Sequence, residues 1–326
     1  MTTLDIQPFD GRQATDAEID EYWGLRSAVY GVDYPELARP TRAETVSLLA
    51  APQQHLGERL MWLARLDGRL AGAATVHLPV ESDDHIVIAH VVVRPDLRRR
   101  GFGTEILRTV EAAVHGRTEI QGWEVTGGSP GDHWTTALGF HAVHSSVLQI
   151  LTFAETNREC WEVAVPEGYR LVRWAAKAPE NLLESYAKAM STLADSDTGD
   201  SGITFADWSA KRLRQIEADR AAAGIENRTI LAVTDAGEVA GITELEQRAQ
   251  NPVRLVQGAT AVLAAHRGHG LGLAMKAAML RWFTADHDDL AEVWTSTGAD
   301  NTHMVAVNHR LGFKTARRFS VVSREI

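Results

Sequence analysis

Arg267-Gly-His-Gly-Leu-Gly272, followed directly by Leu273-Ala-Met-Lys-Ala-Ala-Met-Leu280, is the stretch on which the reading of this chain turns. Ahead of it, Gly258-Ala-Thr-Ala-Val-Leu263 has the composition of a strand. Behind it, Leu271, Ala274, Met275, Ala278 and Met279 recur at i, i+3, i+4, i+7 and i+8, the spacing of one helix face. The two methionines of that face read as core. Strand, glycine-rich turn and helix in that order make an anion site. The first turn of a helix carries N–H groups without intrahelical partners, and the aligned peptide dipoles make that end positive. Gly268, Gly270 and Gly272 take away side chains that would hold a pyrophosphate off those groups, and Arg267 and His269 add charge. A dinucleotide-binding turn looks similar. Here, however, the basic residue precedes the glycines, and no acidic residue ends a next strand about 20 residues on to hold a ribose.

The same stretch occurs twice. Arg98-Arg-Arg-Gly-Phe-Gly103 matches Arg267-Gly-His-Gly-Leu-Gly272 at an offset of 169. Upstream, Leu63-Ala-Arg-Leu-Asp-Gly-Arg-Leu-Ala-Gly72 matches Leu231-Ala-Val-Thr-Asp-Ala-Gly-Glu-Val-Ala-Gly241, and Gly72 and Gly241 are again 169 apart. Both read as a hairpin with a tight turn at Asp-Gly or Asp-Ala-Gly. Downstream, Leu138-Gly-Phe140 matches Leu311-Gly-Phe313 at 173. Landmarks in one order with so small a drift mean one duplicated domain. Each copy reads as an opening strand (4–8; 169–174), Ala-, Glu- and Leu-rich helices, the hairpin, a long apolar strand, the turn and its helix. Another strand, a short helix ending at Leu-Gly-Phe and a closing strand (147–153; 318–323) complete it. Glu, Thr, Asn, Pro and Gly gather at 154–168, which sets the expected domains at 1–155 and 156–326.

Composition agrees with two soluble domains. The chain has 326 residues, 44% hydrophobic and 23% charged, enough apolar material for two cores. A net charge of −10 argues against a nucleic-acid partner and suits a small cationic acceptor. The one cysteine, Cys160, excludes an intramolecular disulfide and reads as an ordinary linker residue; a cytoplasmic location fits this. The N-terminal stretch has no signal-peptide pattern. The most apolar run, 85–93, is a buried strand, too short to cross a membrane. No metal site is expected.

Here the chain resembles the GNAT superfamily of acyl-CoA N-acyltransferases, whose signature is Arg/Gln-x-x-Gly-x-Gly/Ala after a strand. Arg98, Gly101 and Gly103 carry it in the first copy, after Val91-Val-Val-Arg-Pro95; Arg267, Gly270 and Gly272 carry it in the second. Asn301-Thr-His-Met-Val-Ala-Val-Asn308-His-Arg-Leu-Gly-Phe313 matches the closing helix of the family. The resemblance implies an α/β fold of two tandem domains, each a mixed, mostly antiparallel twisted sheet flanked by helices. It implies acetyl-CoA as the acyl donor. The pantetheine arm would pair with the strand at Thr260, Val262 and Leu263, and the pyrophosphate would rest on Arg267, Gly268, His269, Gly270, Leu271 and Gly272. Asn301 and Met304 would complete that site. Val91, Val93, Arg98, Arg99, Arg100, Gly101, Gly103 and Thr104 are the first copy's equivalents.

The second copy is expected to be the working one. At offset 173, Asn301, Met304 and Asn308 correspond to Gly128, Gly131 and Thr135, and Thr126-Gly-Gly-Ser-Pro-Gly-Asp132 is poor helix material. The reaction implied is direct attack of a small molecule's neutral primary amine on the thioester, which needs a base and an oxyanion donor. Glu244 and Glu246 alternate onto one strand face and are the candidate bases; His266, His269 and His303 are others. Asn308 stands where many family members have a tyrosine that protonates the leaving thiolate; an amide supplies no acidic proton. Asp195, Asp197 and Asp200, in a loop between helices, are candidate contacts for a cationic acceptor. Two other readings are open at this level: a non-catalytic acyl-CoA-binding sensor and a protein N-acetyltransferase.

Overall fold

The structure is a computed structural model that describes residues 4–50, 56–80, 83–194 and 208–326. Two compact units divide these residues, one formed by 4–144 with 319–326, the other by 145–194 with 208–318. In unit one, strands β1 (Asp5–Pro8), β2 (Glu58–Leu66), β3 (Arg69–Leu78), β4 (Ile86–Val93) and β5 (Glu119–Thr126) lie side by side in that order. In unit two, β7 (Tyr169–Ala175), β8 (Ile225–Thr234), β9 (Val239–Arg248), β10 (Asn251–Val262) and β11 (Glu292–Gly298) repeat the arrangement. All these neighbours are antiparallel except β4 with β5 and β10 with β11.

The closing strands are exchanged. The strand that ends the first copy, β6 (His141–Thr152), pairs with β11 through Ser146–Thr152 and closes unit two. The last strand of the chain, β12 (Lys314–Glu325), pairs with β5 through Phe319–Glu325 and closes unit one. The join read at 154–168 therefore does not separate the units. Ladder hydrogen bonds are made by the backbone and carry no sequence label, so nothing local in either closing strand states which sheet it completes.

Helices α1 (Asp16–Asp33), α2 (Arg42–Ala50), α3 (Phe102–Ala113) and α4 (Pro130–Ala137) belong to unit one. Their counterparts in unit two are α5 (Glu180–Ala194), α6 (Ala210–Ala222), α7 (Leu271–Asp286) and α8 (Thr302–Arg310). Local chemistry sets their ends. Thr15 and Glu18 form a capping box at α1, the Thr15 hydroxyl accepting from the Glu18 N–H and the Glu18 carboxylate from the Thr15 N–H. The 126–132 stretch holds a helix start after all. Its two glycines form the turn, Ser129 caps by accepting from the Asp132 N–H, and Pro130 occupies the first helical position, where its missing N–H costs nothing.

Each sheet is covered on both faces. In unit two, Met275, Met279, Leu280 and Phe283 of α7 pack with Ala240, Leu245, Leu255, Val293 and Leu311, and Met275, Met279 and Phe283 have no exposed surface. On the other face, Leu183, Tyr186 and Met190 of α5 and Leu213 of α6 pack on Leu231, Val233 and Ile242. Unit one repeats this with Ile106 and Val110 of α3 on one face and Leu25 and Val29 of α1 on the other. Cys160 packs beside the α7 core, where burial pushes its thiol up, away from a reactive thiolate.

Candidate active site

The two glycine-rich turns have the same backbone. After β10, residues 264–266 make one 3-10 turn, with the His266 N–H on the Leu263 carbonyl and the Arg267 N–H on the Ala264 carbonyl. Gly268 and Gly270 then adopt left-handed φ values of 83° and 80°, and the first intrahelical N–H is that of Ala274, bonded to the Gly270 carbonyl. Among the described residues, the N–H groups from Gly268 to Leu273 bond to no other group of the chain. The turn is thus a run of free donors at the positive end of a 16-residue helix. In unit one, Arg99 and Gly101 hold the corresponding φ values, 64° and 84°. A side chain at Arg99 is strained there where Gly268 is not.

Both units also open a cleft beside the turn. β10 pairs in parallel with β11 only at Arg254–Val256 against Glu292–Trp294, then runs on to Val262 without it. β4 likewise leaves β5 after Ile88. Past those points the edges of β10 and β4 carry backbone groups that an extended ligand can pair with. Gly241 and Gly72 let the neighbouring strand approach: a Cβ at Gly241 would stand 2.8 Å from the Ala261 carbonyl oxygen, and one at Gly72 2.6 Å from that of Val92.

Three features separate the units. First, among the described residues Arg267 is engaged only through its Nε, which donates to the Val262 carbonyl, whereas Arg98 also has its guanidinium locked bidentately on Asp33 of α1 at 2.7 Å. Second, the unit-one cleft is filled by Trp134 of α4, whose indole donates to Thr104 at 3.1 Å and packs over Gly103. The cavity left there, walled by Val91, Leu107, Gln121, Trp134 and Phe140 among others, is small, about 30 Å³. In unit two the residue facing Gly272 from the short helix is the flexible Met304, its Cε 4.0 Å from where a Gly272 Cβ would be. Third, β10 carries a bulge that β4 lacks. Gln257 opposes Leu245 and Thr260 opposes Thr243, so Gly258 and Ala259 face the single residue Glu244. β4 stays in register with β3 from Ile88 to Val93. A bulge turns backbone groups out of the ladder.

Glu244 and Glu246 both point at Arg220 of α6. Arg220 Nη1 is 3.2 Å from Glu244 Oε1 and Nη2 is 2.8 Å from Glu246 Oε1. The Tyr186 hydroxyl donates to Glu244 Oε1 at 2.6 Å. Burial works against the Arg220 charge, but the two carboxylates outweigh it and hold its pKa above the ordinary value. Burial and the Glu244 charge push the Tyr186 phenol well up. Glu244 Oε2 is the oxygen that faces the bulge, 3.5 Å from the Cβ position of Gly258. Gln257 Nε2 bonds the Thr243 hydroxyl and the Glu244 carbonyl, and Thr243 and Thr260 share a hydroxyl hydrogen bond of 2.8 Å.

Asn308 is fully buried on α8. Its Nδ2 donates to Gln149 Oε1 at 2.8 Å, and its Oδ1 is buried without a hydrogen-bond partner. Gln149 comes from the exchanged strand β6; the signal in the sequence was one polar residue inside the apolar run Val147-Leu-Gln-Ile-Leu151. Asn301 caps α8 by accepting from the Met304 N–H. Tyr169 was also missed: its hydroxyl is 3.1 Å from His266 Nδ1 and its ring lies against both His266 and His269. His303 is exposed on α8. Asp195, Asp197 and Asp200 lie outside the described residues. Among the described residues no cluster suits a metal ion, and no helix is long and apolar enough to cross a membrane.

A splayed parallel strand pair beside a helix-capping turn of free N–H groups, present twice, defines a tandem acyl-CoA-dependent N-acetyltransferase. The chain belongs to the GNAT acetyltransferase family: the model described as "Acetyltransferase (GNAT) family" matches residues 24–129 and 187–313. The chain is 30% identical, over 81% of its length and 79% of the relative's, to the mycothiol acetyltransferase of Salinispora tropica. Among solved structures it is similar to a tandem GNAT protein from the clavulanic acid biosynthesis pathway, with 26% identity, a TM-score of 0.80 and coverage of 99% and 98%. A GCN5-related N-acetyltransferase from Sphaerobacter thermophilus shares the fold, at 16% identity and a TM-score of 0.77 over 99% and 95%.

Proposed function

We propose that this protein acetylates a primary amine of a small cytosolic molecule, with acetyl-CoA as donor and unit two as the only catalytic unit. The observation that carries the reading is the contrast between the units: unit two has a bulged β10, a turn of free N–H groups and, among the described residues, an unengaged Arg267 guanidinium, while in unit one β4 has no such bulge, Asp33 holds Arg98 and Trp134 packs on the turn. The names of the relatives support a small acceptor, one being named for mycothiol and one for the clavulanic acid biosynthesis pathway.

In this reading the N–H groups of Gly268–Leu273 and the Arg267 guanidinium hold the pyrophosphate, and the free edge of β10 at Thr260–Leu263 aligns the pantetheine arm. An N–H turned out at the Gly258–Ala259 bulge polarises the thioester carbonyl and stabilises the oxyanion. Glu244, paired with Arg220 and oriented by Tyr186, takes the amine proton through Oε2, directly or through a water. Glu246 holds the other terminal nitrogen of the Arg220 guanidinium. Asp195, Asp197 and Asp200 contribute negative charge for a cationic acceptor.

Incubation with acetyl-CoA and a panel of small amines and peptides, following free thiol, tests this. Turnover on small amines and calorimetric binding of one acetyl-CoA per chain are expected. Turnover on peptides alone, or two bound cofactors, would overturn it.

A further inference from the structure

Asn308 leaves the departing thiolate without an acid, and the strongest unexplained group in the molecule lies in the same wall. Lys276 of α7 is 2% exposed, among the most completely buried large side chains of the chain. Its Nζ lies 5.4 Å from the centre of the Phe313 ring, and among the described residues no carboxylate pairs with it. An unpaired ammonium in an apolar core is costly, so its retention calls for a use.

Its place follows from the helix geometry and from the other copy. Lys276 is one turn beyond Gly272 on the same face of α7. Gly272 meets Met304 at the start of α8, and Lys276 meets Phe313 just past its end, which brackets Asn308 between them. In unit one the residue at the Lys276 position is Leu107, and Leu107, Thr135 and Phe140 all wall the small cavity beneath Trp134. The equivalents of those three are Lys276, Asn308 and Phe313. The apolar Leu107 in the wall of the unit-one cavity is therefore replaced by an amine at the equivalent place in unit two.

We propose that Lys276 is the proton donor to the leaving sulfur, an assignment that rests on the acetyl-transfer reading above. The amine nitrogen bonds to the carbonyl carbon and its surplus proton passes to Glu244. As the carbon–sulfur bond breaks, the sulfur keeps the electron pair and takes a proton from the Nζ ammonium. The neutral amine of Lys276 regains a proton from solvent once the product thiol leaves. Asn308, its Nδ2 held by Gln149, keeps its Oδ1 without a partner on the short helix that this stretch of α7 packs beside.

The surroundings suit this role. Burial alone lowers the Lys276 amine to about 7, where it can give up a proton at neutral pH. The elements packed on this stretch of α7 present Ala240 from β9, Leu255 from β10, Val293 from β11, Leu311 after α8 and Trp161. Among the hydrophobic residues of this cluster Cys160 and Tyr169 are titratable; Arg158 lies over Trp161, Lys314 follows Phe313 and pairs with Glu155, Arg228, Asp286 and His287 lie at the far end of α7, and His303, His309 and Arg310 lie on α8.

The test is Lys276→Met, which keeps the length and removes the proton, with the intact protein and coenzyme A. Wild type should bind coenzyme A partly as the thiolate, seen as its ultraviolet band at a pH where the free thiol is protonated. The variant should bind acetyl-CoA equally well, lose that band and lose 10- to 100-fold in kcat. The fall in wild-type kcat above pH 7 should disappear in the variant. Unchanged kcat and pH profile with normal thermal unfolding would overturn the assignment, as would a thiolate band that persists in the variant. Absence of acetyl-CoA binding to wild type would instead refute the reading on which it rests.

Discussion

Replacing Gly270 by alanine, and separately Gly101 by alanine, makes a matched pair of perturbations. Both residues sit at the same place in the same turn, with φ of 80° and 84°. Neither Cβ would meet an atom within 4 Å, so no steric clash with the chain is added. The cost to the fold is the left-handed backbone alone, about 1–2 kcal/mol for a non-glycine residue. For a unit of this size that lowers its unfolding temperature by roughly 2–4 °C per kcal/mol, the same in both variants. Binding should separate them. If Gly270→Ala turns two N–H groups away from the pyrophosphate, two charge-assisted bonds of at least about 1.5 kcal/mol each are lost. That is about 3 kcal/mol, or roughly 100-fold in the Kd for acetyl-CoA. Gly101→Ala should leave the Kd unchanged, because Trp134 fills its cleft. Isothermal titration with acetyl-CoA, beside thermal unfolding of each variant, reads both quantities. Equal loss in the two variants, or undiminished binding in Gly270→Ala, would refute the placement of the site in unit two.

Gly241→Ala would drive a Cβ to 2.8 Å from both the Ala261 carbonyl oxygen and Met275 Cε; chemical denaturation should show a loss of about 1–3 kcal/mol. Arg220→Met would strand Glu244 and Glu246 without their cation, at a cost of about 3 kcal/mol, and should cut kcat more than the Kd for acetyl-CoA, as read by steady-state kinetics beside calorimetry. Asp33→Asn should destabilise unit one slightly and leave acetyl transfer unchanged, since its partner Arg98 lies outside the proposed working site. Lys276 also makes stability depend on pH. Its amine is lowered from 10.5 to about 7 in the fold, so between those values the unfolded chain binds a proton that the folded chain does not. Stability should therefore rise with pH across that window, by up to about 1.4 kcal/mol per unit. Lys276→Met should be more stable than wild type at pH 7 and lack that rise; parallel slopes in urea denaturation would refute this.

The duplication, the glycine-rich turn and the α7 core were legible in the sequence because each is local. Glycine spacing sets where left-handed backbone is cheap, and helical periodicity sets which face is buried, within a dozen residues. The start of α4 was legible too, in Ser129-Pro130, but the glycines before it masked the signal. Glu244 and Glu246 were placed on one face by strand alternation alone, while their shared partner Arg220 lies on α6, 24 positions before Glu244, with no pattern linking them. Gln149 reaches Asn308 across 159 positions, through a strand exchange that backbone pairing permits and side-chain pattern does not announce. What packs beside each glycine-rich turn was likewise out of reach of the sequence. Arg98 and Arg267 read alike in one dimension. Only the folded chain sets Asp33 and Trp134 against the first turn, because those contacts join residues 65 and 30 positions apart.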